Sequence, residues 1–144
     1  MKVWRISAFA DLSGRGGMIY AARWNHRGTP IVYTSDHVST ALLEMLVHAD
    51  LALLPDFYQL LEIRIPDDVV IKEPQLRTGW QDDVMVTRQI WQDFVEKDEG
   101  MVLQVPCIIA PNAFNYLINP AALQESGIKI VSSNRHAIDR RFRV

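Results

Sequence analysis

The stretch from Gly17 to His48, GMIYAARWNHRGTPIVYTSDHVSTALLEMLVH, constrains the fold of this chain more than any other. It opens with a short apolar run, Ile19-Tyr20-Ala21-Ala22, which reads as a first β-segment closed by Arg23, Trp24 and Asn25. His26-Arg27-Gly28-Thr29-Pro30 has turn chemistry, and Ile31-Val32-Tyr33 reads as a second short β-segment. Thr34, Ser35 and Asp36 then supply side-chain oxygens that can cap a helix. The spacing predicts that helix from about His37 to Asp50.

Glu44 is the anomaly within it. Its neighbours are Ala41, Leu42, Leu43, Met45, Leu46 and Val47. A helix apolar on nearly every side is expected to be mostly buried. An ionised carboxylate is costly to bury unless something pairs with it. Two readings follow. Glu44 faces a cleft or a partner, or it is a structural residue tied to an arginine or placed at the edge of an exposed face.

At 144 residues the chain is expected to form one domain, residues 1–144. Its 49% hydrophobic content is enough for a core without covalent staples. The net charge of −2 and the absence of a lysine-rich patch argue against direct nucleic-acid binding. A single cysteine, Cys107, excludes an internal disulfide, and His26, His37, His48 and His136 show no metal-ligand spacing with carboxylates. The N-terminus lacks the apolar core of a signal peptide. The longest apolar run, Ala41 to Leu54, is interrupted by Glu44, His48 and Asp50 and is too short to span a membrane. A cytoplasmic protein is expected.

Elsewhere the pattern is mixed. Lys2 to Ala8 alternates like an opening strand, with Arg5 on its less apolar face, either solvated or reaching a cleft. Asp11 to Gly17 reads as a flexible, Gly-rich connection without a phosphate-binding signature. Phe57 to Ile65 predicts a strand, Val69 to Ile71 a short further strand or an extended segment, and Glu73 to Asp83 a loop long enough to cover a pocket. Val84 to Lys97 predicts a second helix, with Ile90/Phe94 and Trp91/Val95 as apolar pairs. Met101 to Ile109 predicts a strand interrupted by Pro106, which places a bulge or an edge there and re-aims Cys107. Asn112 to Asn119 reads as a turn or short helix, with Asn115 fixing a loop, the reading favoured, or touching a ligand. Ile128 to Val131 reads as a strand, and Ala137 to Val144 as a segment closing the sheet at its edge. The class is α+β, with strands outnumbering helices.

These pieces, in this order, resemble the RES domain, the toxin half of RES–Xre toxin–antitoxin pairs. The matching residues are Arg23-Trp24-Asn25, Gly28, Tyr33, Ser35, Ala41 and Glu44, then Val105-Pro106, Asn115-Tyr116-Leu117, Asn119-Pro120, Asp139 and Arg141. The resemblance spans nearly the whole chain. It implies an ADP-ribosyltransferase-like fold, a mixed β core flanked by short helices. It also implies NAD as substrate with no metal, and an Xre-like helix-turn-helix antitoxin as partner, with a homodimer as a further assembly. Three departures stand out. Ala21 and Ala22 replace the usual glycines, Cys107 replaces the usual serine, and the stretch after Asn119-Pro120 lacks the histidine often seen there.

The chemistry expected of such a site is specific. Nicotinamide leaves NAD as a neutral molecule, so one carboxylate can suffice where glycosidases commonly use two. The resemblance assigns that role to Glu44, as stabiliser of an oxocarbenium-like transition state. Arg23 is expected to grip the diphosphate through its planar fork, or to pair with Glu44. Tyr33 offers a ring face for nicotinamide and a hydroxyl, or is a plain core residue. Arg5 and Cys107 complete the expected NAD contacts, the latter standing in for serine as a weaker donor. The activity expected first is NAD glycohydrolase or phosphorylase. Protein ADP-ribosyltransferase is the alternative, and a catalytically lost binding module the third reading.

Overall fold

A computed structural model describes residues 1–143. Seven strands form one mixed sheet: β1 Lys2–Ile6, β2 Val32–Ser35, β3 Phe57–Arg64, β4 Ile71–Lys72, β5 Val102–Pro106, β6 Phe114–Ile118 and β7 Lys129–Ala137. Their order across the sheet is β4-β5-β6-β2-β1-β3-β7. Only β4 and β5 run parallel; every other pair is antiparallel. Four helices accompany the sheet: α1 Arg15–Ile19, α2 Val38–His48, α3 Val84–Glu96 and α4 Leu123–Ser126. This is the expected α+β class, with strands in the majority.

Alternation along the strands sends side chains to two cores. Val3, Val32, Leu61, Ile63, Val102, Tyr116 and Ile118 fill one face. Leu103, Val105 and Leu117 point to the other, where Trp91 and Phe94 of α3 and the loop residue Trp24 cover them. The indole of Trp91 is fully buried, and its N–H donates to the carbonyl of Pro30 at 3.2 Å, which satisfies the polar end of a core side chain.

The junction of β1 and β2 positions the site. The two strands share a single pair, Trp4 opposite Ser35. Beyond it the ladder stops, and the Arg5 guanidinium donates to the carbonyl of Tyr33 at 3.0 Å in place of a strand N–H. α2 lies against β1 and β2. The space between α2 and the segment carrying Arg23 and Trp24 is open.

Several expectations are corrected here. Ile19–Ala22 is not a strand. α1 ends at Ile19, and residues 20–31 form an irregular loop around the buried amide of Asn25, which donates to the carbonyls of Gly17, Tyr20 and His26. Asp11–Gly17 is not a flexible connection. A Cβ on Gly17 would sit 2.5 Å from the Thr29 carbonyl oxygen and 2.8 Å from Ile31, so only glycine allows these segments to close. The helix runs where predicted, but His37 caps it, its ring nitrogen accepting from the Ser39 N–H. Asp36 instead accepts from the Phe114 N–H and the Thr40 hydroxyl, tying the helix start to β6. Nor is α2 mostly buried. Only Thr40 and Ala41 are, because the helix rests on the sheet along a narrow stripe and turns Leu43 and Val47 to solvent.

Asn112–Asn119 departs furthest from the expected turn or short helix. Its core, Phe114–Ile118, is a central strand between β5 and β2, because long-range pairing on both sides overrides the turn propensity of its asparagines. Pro106 closes β5 opposite Phe114, past the two residues that β4 covers, so its missing N–H lies where the strand is an edge. The final strand is longer than expected, running over Lys129–Ala137. Residues 138–143 do not extend the sheet; Arg140–Phe142 is a 3₁₀ turn, and Val144 lies outside the described residues.

Candidate functional site

The opening between α2 and the Arg23 segment is a cleft of about 530 Å³, within the ~300–1,000 Å³ of small-molecule sites. Arg5, Arg23, Tyr33, Ser35, Glu44 and Asn115 all line it, together with apolar side chains such as Trp4, Met45 and Ile109. The sequence-predicted residues therefore converge. Cys107 stands behind them, against Glu44.

Glu44 projects from α2 toward the strands. Its Oε1 accepts from the Asn115 side-chain amide at 2.8 Å and from the Cys107 thiol at 3.3 Å. Its Oε2 has the His48 ring one turn along α2, at 3.6 Å. The carboxylate side chain is 28% exposed, so it is reached from the cleft rather than sealed in the core. The expected ion pair between Glu44 and Arg23 is absent. Arg23 Nη1 donates to the carbonyl of Gln81 at 2.8 Å instead, because the 3₁₀ turn Trp80–Asp82 lies beside it and Trp80 packs on Trp24 with ring centroids 5.7 Å apart.

α3 holds the backbone of the Arg23 segment. The Thr87 hydroxyl donates to the Arg23 carbonyl, and Arg88 Nε donates to the Ala22 carbonyl at 2.8 Å. Arg23 keeps most of its five N–H donors unspent on the protein. The loop over Glu73–Asp83 does not line the cleft it was expected to cover, and instead braces Arg23 through the Gln81 carbonyl.

Tyr33 differs from expectation. Its hydroxyl donates to Asn25 Oδ1 at 2.7 Å and accepts from the Trp24 N–H at 3.1 Å. Burial pushes its ionisation far up. The hydroxyl is committed to the Trp24–Asn25 loop, so what Tyr33 offers the cleft is its ring. Arg5 is half-buried, and burial lowers its pKa, with Asp11 and Tyr33 opposing that. Its Nε has no hydrogen-bond partner, which leaves a cation in want of an acceptor at the cleft wall.

Cys107 begins the turn after β5, its N–H donating to the Ala113 carbonyl at 2.9 Å. Burial raises its thiol pKa, and the Glu44 carboxylate adds to that. The thiol is therefore a hydrogen-bond donor here. Asn115 lies on β6, not in the loop it was expected to fix, and its side chain lines the cleft. The usable signal was a lone amide in the apolar strand sequence Phe114–Ile118, where a polar group must find a partner. Among the described residues no group of three or more His, Cys, Asp or Glu converges as metal ligands would. No described helix is long and apolar enough to cross a membrane.

Comparison with known proteins adds to this geometry. The family model described as the RES domain matches residues 2–140. The chain is similar to Toxin Res of Pseudomonas putida, with 39% identity over 133 residues, covering 90% of this chain and 92% of that protein. It is 34% identical to the Prs ADP-ribosylating toxin of a Sphingobium species over 152 residues, covering 96% and 94%. Among solved structures, the M. tuberculosis MbcT–MbcA toxin–antitoxin complex contains a chain of the same fold. The TM-score is 0.74 over 94% of this chain and 84% of that one, at 17% identity.

Proposed function

This chain belongs to the RES domain family, and we propose that it is the NAD-cleaving toxin of a toxin–antitoxin pair. The observation that carries the reading is the cleft itself. One anchored carboxylate, Glu44, shares it with two guanidinium groups, Arg5 and Arg23, and an aromatic wall, Tyr33. A dinucleotide with an anionic diphosphate and a cationic nicotinamide ribose needs that complement.

In the reaction the bond between nicotinamide nitrogen and ribose C1′ breaks, and its electron pair stays on the ring nitrogen, neutralising the pyridinium. Positive charge is left on the ribose. Glu44 opposes that charge and hydrogen-bonds the ribose hydroxyls. Arg23 and Arg5 hold the diphosphate, and the Tyr33 ring flanks the nicotinamide. Cys107 supports Glu44 as a donor. An acceptor then attacks C1′ and loses a proton.

Water or phosphate as acceptor makes the protein a glycohydrolase or phosphorylase. A protein acceptor makes it an ADP-ribosyltransferase, a reading favoured by its 34% identity to a toxin named for ADP-ribosylating Prs. Incubation of the purified protein with NAD labelled in the adenylate half distinguishes the two. Free ADP-ribose or its phosphate supports the first, and label on added protein the second. Intact NAD after prolonged incubation rejects both. The fold shared with a toxin of a toxin–antitoxin complex supports an antitoxin partner. We take that partner to be Xre-like, with a segment closing the cleft, and self-association into a homodimer to be compatible with the exposed β7 edge.

A further inference from the structure

We propose that Ser35 and Asn115 form a positioning relay that fixes one oxygen of Glu44 and leaves the other as the oxygen that meets NAD. The inference rests on the NAD-cleaving reading above. The two strands that carry the relay are neighbours, and Ser35 and Asn115 are directly opposed in the β2–β6 ladder. Ser35 Oγ donates to Asn115 Oδ1 at 2.9 Å, and Asn115 Nδ2 donates to Glu44 Oε1 at 2.8 Å.

The direction of this chain follows from the chemistry. An ionised carboxylate only accepts, so the Asn115 amide must turn its NH₂ toward Glu44. Its carbonyl oxygen then faces β2, where it needs a donor. Ser35 is buried and has one hydroxyl proton to give. Without that hydroxyl, the amide oxygen loses its donor, and the orientation that faces Glu44 is held by the carboxylate alone. The flipped amide would set oxygen against oxygen at Glu44.

Cys107 reinforces the asymmetry by donating to the same oxygen, Oε1, at 3.3 Å. Oε2 receives no hydrogen bond from the described residues, having only the exposed His48 ring at 3.6 Å. A carboxylate with one oxygen tied by two donors has one remaining oxygen to offer the ribose hydroxyls or the developing cation. Its direction is set before substrate arrives, which is the condition under which electrostatic stabilisation is most effective. Ser35 and Asn115 are thus positioning residues, acting through Glu44. A purely structural role, holding α2 on the sheet, is already served by Asp36 through Phe114 and Thr40.

The test compares wild type with Ser35→Ala, Ser35→Thr and Asn115→Ala, reading kcat and KM for NAD, thermal stability, and the Asn115 side-chain amide signals in ¹⁵N-labelled protein. Ser35→Ala should lower kcat roughly 3–10-fold, the size of one ordinary hydrogen bond. Asn115→Ala should lower it roughly 10–100-fold, as for a bond to a charged group. KM should stay within about twofold in both, because the oriented oxygen matters most in the transition state. Ser35→Thr keeps the donor and should restore kcat. The Asn115 amide signals, identified by their loss in Asn115→Ala, should move in both Ser35→Ala and Glu44→Gln. Lowered thermal stability with unchanged kcat in Ser35→Ala would overturn the relay, as would Asn115 signals unmoved in both variants. The amide signals read the relay even if wild type leaves NAD intact, an outcome that would sink the NAD reading alone.

Discussion

Replacing Glu44 by glutamine tests the proposed chemistry most directly, because the structure predicts that almost nothing else changes. Oε1 of the glutamine can still accept from Asn115, now at 2.8 Å, and from the Cys107 thiol. The amide nitrogen takes the place of Oε2, where the carboxylate has only His48 at 3.6 Å. That contact is exposed and worth at most about 0.3–0.5 kcal/mol, so the fold should tolerate its loss. What disappears is a unit charge facing the ribose cation. Two unit charges about 4 Å apart interact by roughly 4 kcal/mol at an effective dielectric of about 20. Removal of one preorganised stabilising group costs about 10²–10³ in kcat in other enzymes, roughly 2.7–4 kcal/mol. The two figures agree, and kcat for NAD cleavage should fall by about 10²–10³. KM should change little and thermal stability should hold or rise slightly, since a partly desolvated charge has been removed. The assay follows NAD loss and nicotinamide release by the purified variant, with its melting temperature as control. A folded variant whose kcat is within tenfold of wild type would refute the role given to Glu44.

Arg23→Ala should raise KM for NAD with little loss of stability, because the Arg23 bond to the Gln81 carbonyl is exposed. Arg23→Lys should recover only part of the affinity, lacking the fork. An unchanged KM in Arg23→Ala, together with a lower melting temperature, would instead make Arg23 structural. Cys107→Ser should match or exceed wild-type turnover, since a hydroxyl is the better donor to Glu44 Oε1. The thiol pKa is raised first by burial and then by Glu44, so the neutral thiol dominates at neutral pH and alkylation should be slow. Fast, NAD-protected inactivation by an alkylating reagent, with a dead serine variant, would reverse that assignment. Gly17→Ala places a Cβ 2.5 Å from the Thr29 carbonyl oxygen, and should cost about 1–3 kcal/mol of stability, read as a lower melting temperature. An unaltered melting temperature would show that the Gly17 contact gives way freely.

Local sequence signals determined much of this molecule. The helix at Val38–His48 was legible from its apolar run, though its cap is His37, and that at Val84–Glu96 from its apolar i,i+4 pairs. So was the strand at Phe57–Arg64, where Phe57, Tyr58, Leu60, Leu61 and Ile63 outnumber the polar residues. Glu44 stood out because a carboxylate in an apolar helix demands an explanation. The cluster of Arg5, Arg23, Tyr33 and Glu44 was named from the resemblance, and tertiary contacts bring all four to one cleft.

What the tertiary structure alone decided is how those groups are held. Arg23 and Glu44 are neighbours in one cleft without pairing, because Arg23 meets the Gln81 carbonyl and Glu44 meets Asn115. Tyr33 spends its hydroxyl on Asn25, whose amide also draws in Gly17, Tyr20 and His26. The strand Phe114–Ile118 looked like a turn or short helix, since Asn112, Asn115 and Asn119 favour turns and the strand's partners lie far away in sequence. Propensity acts between neighbours in the chain, whereas the Ser35–Asn115 pair spans a sequence separation of 80 residues. A single sequence marks which residues need partners, through misplaced charge or polarity. Only the register of the sheet, set by packing on both its faces, decides which partner each one receives.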